Sequence, residues 1–404
     1  MIRRFYPHAL IYAGYYGAVG VTVPYFPADL SVRGLSPSEI GVVLSIQSFL
    51  GCVLPMLAGY IADRTHSAAR MLRALIGSSI LTFLLLSTTH GFAQVFPAMF
   101  LHAFILTPVL VLVEAATLGE LARGRGSYGQ VRMFGTLGFA LAAFGFGQWI
   151  RPEIVAAGWV VKLASASMLV AFIGSLLLRS PEASGGAVDP RRALGLLRVP
   201  GVLALCLAGL LHWWAMAPYN AFFALHAERL GFPAWIVGTS MAIGGASEIV
   251  FMLLSRPLER RFVPRRLVAF AMFLTAVRWW ISGTTASPST FMIVQAMHGL
   301  SFGMFYTAAI ASLIRTVPAE LRATGQGLFM AATFGIGGGV GTVMFGEFFQ
   351  RMEGPALFSL AAGADVLAGM VLLLSELRPS QRSASDSGAA ADPASARRDP
   401  APDA

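Results

Sequence analysis

The sequence predicts an all-α integral membrane protein: twelve transmembrane helices in two parallel six-helix pseudo-repeats. Three observations predict it. Hydrophobic residues make up 56% of the 404-residue chain and charged residues only 12%, about half the charged share of a soluble domain. Apolar stretches long enough to cross a hydrocarbon core of ~30 Å, which takes roughly 20 helical residues, recur twelve times. The last six of these stretches resemble the first six at a nearly constant offset, the signature of an internal repeat.

The elements follow in order. Span 1, near 7–27, begins at Pro7 after Arg3 and Arg4 and runs through Phe26 without an A-x-A-like cleavage site. It therefore reads as a retained span rather than a signal peptide. Span 2, near 39–60, follows the turn Gly34-Leu35-Ser36-Pro37 and closes on Gly59, Asp63 and Arg64. Span 3, near 71–89, follows Arg70; span 4, near 92–117, carries Glu114 inside an apolar run. Span 5, near 131–150, opens on Gly129-Gln130-Val131-Arg132, and span 6 lies near 157–178. From Arg179 to Pro200 the chain turns polar, with Ser184-Gly185-Gly186 and Asp189-Pro190-Arg191-Arg192, which marks a linker. Span 7, near 201–225, contains Pro218-Tyr219; span 8, near 234–255, carries Glu248; span 9, near 266–284, holds Arg278; span 10, near 289–314, holds His298. Span 11, near 325–349, includes Gly335, Gly337, Gly338, Gly339 and Gly341, which read as sites of close helix approach or bending. They do not form a phosphate loop, since no Lys-Ser/Thr follows. Span 12 lies near 355–377.

The division is therefore 1–178 for the first bundle, 179–200 for the linker, 201–378 for the second bundle and 379–404 for a tail. The tail is rich in Ser, Ala, Pro, Asp and Arg, has no apolar face to bury, and is expected to be disordered. Three local echoes set the register of the repeat. Pro24-Tyr25 returns as Pro218-Tyr219, 194 residues on; Gly34-Leu35-Ser36-Pro37 returns as Gly231-Phe232-Pro233, 197 on; Gly129-Gln130 returns as Gly325-Gln326, 196 on. Six is even, so each half returns the chain to its starting side and the repeats are parallel.

The formal charge of +9 could signal nucleic acid, but it follows the loops. Of the 29 basic residues, all but Arg33, Arg151, Lys162, Arg229, Arg351 and the in-span Arg278 fall on the side of the termini. The positive-inside rule then places both termini in the cytoplasm, and the basic excess sets topology rather than nucleic-acid affinity. Scarce lysine beside abundant arginine and alanine suggests a GC-rich bacterial genome, hence the bacterial inner membrane. Cys52 and Cys206 lie in spans, where burial as small apolar residues is the usual fate. The seven histidines show no metal-ligand spacing such as H-E-x-x-H, and no catalytic cluster argues for an enzyme. No nucleotide-binding motif is present, so no cofactor is expected.

Charged groups at membrane depth are rare and functional or paired by default. Glu248, Arg278 and His298 each fall near the middle of a span. At 1.5 Å per residue, Arg278 is roughly 18 Å from the end of span 9, too far to reach the surface. It needs a counter-charge or a wet cavity, and Glu248 is the nearest candidate in sequence. Glu114 and Arg132, eighteen residues apart, lie nearer one face, where a juxtamembrane salt bridge would explain both. Gln47, His102, His212, Asn220 and Asp365 read as interhelical glue and receive no role. Among aromatics, Tyr15, Tyr16, Phe139, Trp213, Trp214, Trp279 and Trp280 are the ones near these groups.

Gly59-Tyr60-Ile61-Ala62-Asp63-Arg64 resembles the G-x-x-x-D-R gating signature of major facilitator transporters, with a weaker echo at Arg256-Pro257-Leu258-Glu259-Arg260-Arg261. Within that superfamily the chain is similar, over all twelve spans, to the branch containing lactose permease and the 3-phenylpropionate transporters. Val113-Glu114-Ala115 through Arg132-Met133-Phe134-Gly135-Thr136-Leu137-Gly138-Phe139 resembles the sugar site of lactose permease. Ser247-Glu248-Ile249 resembles the site of its second substrate carboxylate, Val277-Arg278-Trp279-Trp280 its buried arginine, and Gln295-Ala296-Met297-His298-Gly299 its buried histidine. Ser301, Gln295 and Phe139 depart from it, standing where the permease has a proton-carrying carboxylate, a lysine and a tryptophan, which argues against lactose itself.

The resemblance implies a monomeric secondary transporter working by alternating access on a small organic solute such as an aromatic acid, sugar or nucleoside. Glu114, Arg132, Phe139 and Glu248 would bind solute; Glu248, Arg278 and His298 would couple it to protons; Gly59, Asp63 and Arg64 would gate. Proton-driven efflux of hydrophobic compounds is the alternative that the architecture leaves open.

Overall fold

The computed structural model describes residues 2–65, 67–122, 128–178 and 195–376. The tail and nearly all of the linker lie outside the described residues, so their expected character has no structural counterpart here. Twelve helical rods occupy the positions of the twelve expected spans. They are span 1 (Ile2–Val32), span 2 (Pro37–Gly51 then Leu54–Thr65), span 3 (Ala68–Leu86), span 4 (Gly91–Ala122), span 5 (Tyr128–Trp149) and span 6 (Trp159–Leu176), the last preceded by a short turn of helix at Pro152–Ala156. The second set is span 7 (Pro200–Ala215 then Ala217–Arg229), span 8 (Trp235–Arg261), span 9 (Pro264–Thr284), span 10 (Pro288–Ile293 through Phe305–Thr316), span 11 (Arg322–Met330 through Gly338–Arg351) and span 12 (Gly354–Glu376).

Eight of the rods are long and apolar enough to cross a bilayer, nine with the two pieces of span 2, which meet at 41°. Spans 1 and 5 are not among them, and span 8 is apolar only over Trp235–Phe251. These are the rods diluted by Tyr6, Tyr12, Tyr15, Tyr16 and Tyr25, by Gln130 and Arg132, and by Glu248. Low hydropathy thus falls on helices that pack against the other half.

The breaks have local causes. Pro55 and Pro218 lack the amide that would bond to the carbonyl four residues earlier, and the helices interrupt just ahead of them, at Cys52–Val53 and at Met216. Span 10 passes through a 3₁₀ turn (Val294–Met297) and a π-helical turn (Gly299–Met304), and span 11 through a π-helical stretch (Ala331–Gly337). Such wide turns leave backbone groups in need of outside partners. In span 10 the Gly299 amide donates to Ser247 Oγ of span 8 at 2.9 Å.

The repeat is visible in packing and in turn chemistry. Span 1 packs on 5 and 6, span 3 on 4 and 6, and span 2 on 4; correspondingly span 7 packs on 11 and 12, span 9 on 10 and 12, and span 8 on 10. The two halves meet through spans 2 and 11, 5 and 8, and 1 and 7. Gly34 and Gly231, equivalent in the repeat, both take positive φ, +89° and +73°. Each is followed by the same six-to-one closing bond of a helix C-terminus, Leu35 N–H to Leu30 O and Phe232 N–H to Ala227 O. Ser36 and Glu39 then form a capping box that starts span 2.

Two of the basic residues on the face opposite the termini serve as braces. Arg33 bonds Asp29 at 2.7 Å and the carbonyls of Leu86 and Thr89. Arg229 bonds the Phe349 carbonyl at 2.8 Å and stacks on the Phe349 ring.

Candidate functional site

Between the halves lies a cavity of about 870 Å³. Spans 1, 2, 3, 4, 7 and 11 line it, with Tyr15, Phe26, Trp213 and Phe334 as aromatic walls and Thr22, Gln47, Ser48, His102, Glu114 and Asn220 as polar ones. Gly59, Tyr60, Gln326 and Gly327 lie at its end nearest the termini. A Cβ on Gly59 or Gly327 would meet nothing within 4 Å. At the other end the halves touch backbone to backbone. A Cβ on Gly41 of span 2 would stand 2.6 Å from the Thr342 carbonyl of span 11, and one on Gly238 of span 8 would collide with the Ala143 carbonyl of span 5. The cavity is therefore closed on the far face and open toward the face of the termini. Of the proposed gating residues, Gly59 sits at this mouth, Arg64 lies over the Tyr60 ring at 5.2 Å, and the Asp63 side chain lies outside the described residues.

The first polar cluster is built by spans 1, 4 and 5. Tyr12 and Tyr16 are one helical turn apart on span 1 and face span 5. Arg132 lays its guanidinium 3.9 Å from the Tyr16 ring centroid and 5.7 Å from that of Tyr12, and donates to Tyr16 Oη at 2.6 Å. Glu114 accepts from Tyr128 Oη at 3.1 Å. Among the described residues no salt bridge joins Glu114 to Arg132; each is held by a tyrosine. Both are only half-buried.

The second cluster is more deeply buried. Arg278 is fully buried, and Nε and Nη2 both donate to Gln295 Oε1, at 3.0 and 2.7 Å. Its Nη1 meets His298 Nδ1 at 3.3 Å, and its guanidinium lies 4.1 Å over the Tyr219 ring and 4.5 Å over Trp279. Gln295 is aimed by its own amide, which donates to the Phe291 carbonyl at 3.0 Å and to Ser282 Oγ at 3.3 Å. Since Arg278 can only donate, His298 Nδ1 must offer its lone pair. Protonating His298 there would break that bond.

The expected partnership of Glu248 with Arg278 is not what the structure brings together. Arg132, on span 5 of the facing half, is near enough to act on Glu248 electrostatically, although among the described residues no hydrogen bond or ion pair joins the two. Glu248 lies on the side of span 8 that packs on span 5, where Phe139 comes within 3.9 Å of a Cβ on Gly245. Arg278 instead packs inside its own bundle, where Gln295 supplies the acceptor that sequence proximity assigned to a carboxylate. His298 stacks on Phe302 at 6.0 Å, and Phe302 lies 5.7 Å from Trp213. Arg132, Phe139, Glu248, Arg278 and His298 thus stand beyond the lining of this cavity, with Glu114 the one proposed solute ligand on its wall.

Sequence reasoning missed Tyr12 and Tyr128. The signal was present as spacing: Tyr128 precedes Arg132 by four residues and Tyr12 precedes Tyr16 by four, so each pair shares a helix face. It also left His212 and Asp365 without a role, whereas the two meet at 2.5 Å with neither exposed.

Comparison with known proteins adds to this geometry. The model of the MFS_1 like family matches residues 8–360. The chain is 24% identical to a maltose permease of Geobacillus stearothermophilus over 367 residues, covering 90% of this chain and 93% of that one. It is 26% identical to a probable 3-phenylpropionic acid transporter of Escherichia coli over 359 residues, covering 85% and 91%. The crystal structure of the nucleoside transporter NupG superposes with a TM-score of 0.81 at 16% identity, covering 93% of this chain and 100% of that chain.

Proposed function

Since the chain belongs to the MFS_1 like family, and is a secondary transporter of small organic solutes rather than an enzyme, we propose that it couples import of its solute to protons by alternating access. The observation that carries this reading is the placing of Glu248 and Arg132 on two helices that face each other from opposite halves. They sit on spans 8 and 5, which pack against each other across the boundary between halves. Alternating access moves that boundary, so the attraction between opposite charges on its two sides changes with the state of the transporter.

The mechanism follows from competition for Arg132. While Glu248 is ionised it attracts the guanidinium. A proton on Glu248 removes that competitor and leaves the planar fork of Arg132, with its bond to Tyr16, free to take a carboxylate or a pair of hydroxyls. Solute binding and protonation then favour the same arrangement, which is the condition for symport. Glu114, Arg132, Phe139 and Glu248 are the proposed solute ligands, Glu248 the proton acceptor, and Arg278 with His298 the buried group that holds span 9 to span 10 beside it. Phe334 and Trp213 offer faces for a ring, while Gln47 and Asn220 offer carboxamides. That combination suits an aromatic monoanion carried with its proton, a nucleoside or a sugar.

The division at residues 179–200 into two rocking bundles belongs to this reading, as does a monomeric unit in the bacterial inner membrane. With both termini cytoplasmic, the cavity is open to the cytoplasm, the state that releases imported solute.

Uptake into proteoliposomes tests it, using 3-phenylpropionate, a nucleoside and a galactoside, with and without an imposed proton gradient. Gradient-driven accumulation of one of them, lost in Glu248→Gln, is the expected result. Equal behaviour of wild type and Glu248→Gln removes Glu248 from coupling.

A further inference from the structure

In the second bundle, away from the solute site, His212 of span 7 is placed against Asp365 of span 12. His212 Nδ1 lies 2.5 Å from Asp365 Oδ1, and His212 Nε2 lies 2.9 Å from the backbone carbonyl of Ser301 in the π-helical turn of span 10. Asp365 Oδ2 accepts from Trp279 Nε1 at 2.8 Å. Neither His212 nor Asp365 has any exposed surface.

Counting donors decides what this arrangement holds. A carbonyl oxygen can only accept, so Nε2 carries a hydrogen. A further proton must lie between Nδ1 and Oδ1, because two lone pairs at 2.5 Å would repel. Drawn as imidazolium with carboxylate or as imidazole with carboxylic acid, the pair contains the same number of protons. If one is lost, the imidazole keeps a single N–H for two acceptors. Either Asp365 Oδ1 or the Ser301 carbonyl is then left without a donor inside the buried bundle, at a cost that favours movement.

We propose that His212 and Asp365 form a proton-binding site whose proton latches span 7 and span 12 to the π-helical turn of span 10. The site deepens the proton-coupled reading above and rests on it for its role in transport. Ser301 lies three residues from His298, which meets Arg278, and Trp279, the other donor to Asp365, is next to Arg278 in sequence. A change at the latch therefore reaches His298 and Trp279, two of the side chains that contact the buried arginine. The charged and titratable groups that face the pair are Arg278 from span 9 and His298 from span 10. Span 11 presents the hydroxyl of Thr333 and no titratable side chain over Ala331–Gly337, and Cys206 is six residues back on span 7 itself. Trp213 touches both environments. It lines the cavity, and its ring lies 6.3 Å from that of His212, so the pair is one side chain away from cavity water.

The test has a spectroscopic arm and a transport arm. In protein labelled with ¹⁵N-histidine and held in lipid nanodiscs, His212 is assigned by loss of its signals in His212→Gln. The expected result is either two protonated ring nitrogens or an infrared band of a protonated carboxyl that disappears in Asp365→Asn, with reversible loss of one proton as pH rises. A bare nitrogen without a protonated carboxyl at every pH, or a proton retained throughout the range in which the protein stays folded, overturns the proposal. The double variant His212→Gln with Asp365→Asn keeps a donor for the Ser301 carbonyl and an acceptor for Trp279 but cannot hold the proton. It is expected to exchange solute across the membrane as wild type does, while gradient-driven accumulation falls by about tenfold, the scale of coupling between linked sites. Unchanged accumulation overturns the role in transport. Glu248→Gln is run beside it: a wild type that never accumulates solute sinks the symport reading, and the histidine signals still decide whether the latch holds a proton.

Discussion

Arg132 and Arg278 are the same side chain solved in two ways. Each lies over a tyrosine ring, at 3.9 Å in the first bundle and 4.1 Å in the second. Arg132 is partly exposed and leaves donors unused. Arg278 has no exposed surface, and its donors are turned to Gln295 and His298. A guanidinium with exposed surface can wait for a ligand, because water meets its unused N–H groups. One sealed among helices must have its acceptors built in, since an unpaired buried charge is strongly destabilising. The difference teaches which arginine is available to solute and which holds a bundle together.

The largest effect expected from this contrast comes from Gln295→Leu. It removes the single oxygen that takes two of the donors of Arg278, and destabilisation on the order of 3 kcal/mol follows. Thermal unfolding followed by dye labelling of buried Cys206 measures it. Gln295→Glu supplies a true counter-charge at the same place and is expected to remain folded. If Gln295→Leu unfolds at the wild-type temperature, Arg278 has another acceptor and the contrast with Arg132 fails.

Arg132→Lys comes next. An ammonium keeps the charge but loses the planar fork and the ring contact with Tyr16. Solute uptake is expected to fall about a hundredfold, the loss typical of a misplaced binding group, while the unfolding temperature stays near that of wild type. An unfolding temperature lowered as far as in Gln295→Leu would make Arg132 a structural residue like Arg278.

Legibility of the two sites differed for the same physical reason. The twelve spans could be read because a bilayer imposes length and apolarity on each one, and the repeat because turn chemistry is local: Gly34 and Gly231 need positive φ wherever the rest of the chain goes. Arg132 and Glu114 could be singled out because a charge in an apolar run is conspicuous. Their partners could not be assigned: Tyr16 is one of several aromatics near the charged groups, and Tyr128 looks like an ordinary interfacial aromatic until helix packing sets which face it turns. Glu248 was matched to Arg278 because they lie on consecutive spans, but partner choice depends on rotation about the helix axis, and span 8 turns Glu248 outward to span 5. His212 and Asp365, 153 residues apart, are joined only by the packing of span 7 on span 12.

Tyr16→Phe sharpens the comparison further. The ring stays under Arg132 and only the hydroxyl bond of 2.6 Å is lost, a hydrogen bond worth ~1 kcal/mol net. A rise in KM of about fivefold with kcat unchanged is expected, because the bond aligns the guanidinium before solute arrives. A fall in kcat alone would place Tyr16 in the conformational step.

The smallest effect is expected from Tyr128→Phe, and it tests the premise that the first cluster is wet. Tyr128 Oη is the protein donor to Glu114 at 3.1 Å, and both residues are half-buried. Were the site as deeply buried as that around Arg278, removing the donor would strand a carboxylate and cost several kcal/mol. With cavity water at hand, a water molecule takes the place of the hydroxyl, and such bridges are nearly as favourable as the direct bond. Uptake should therefore change by no more than about twofold, and the unfolding temperature should hold. A collapse in stability would mean that Glu114 is sealed from the cavity it lines, and that the two bundles solve their buried charges alike.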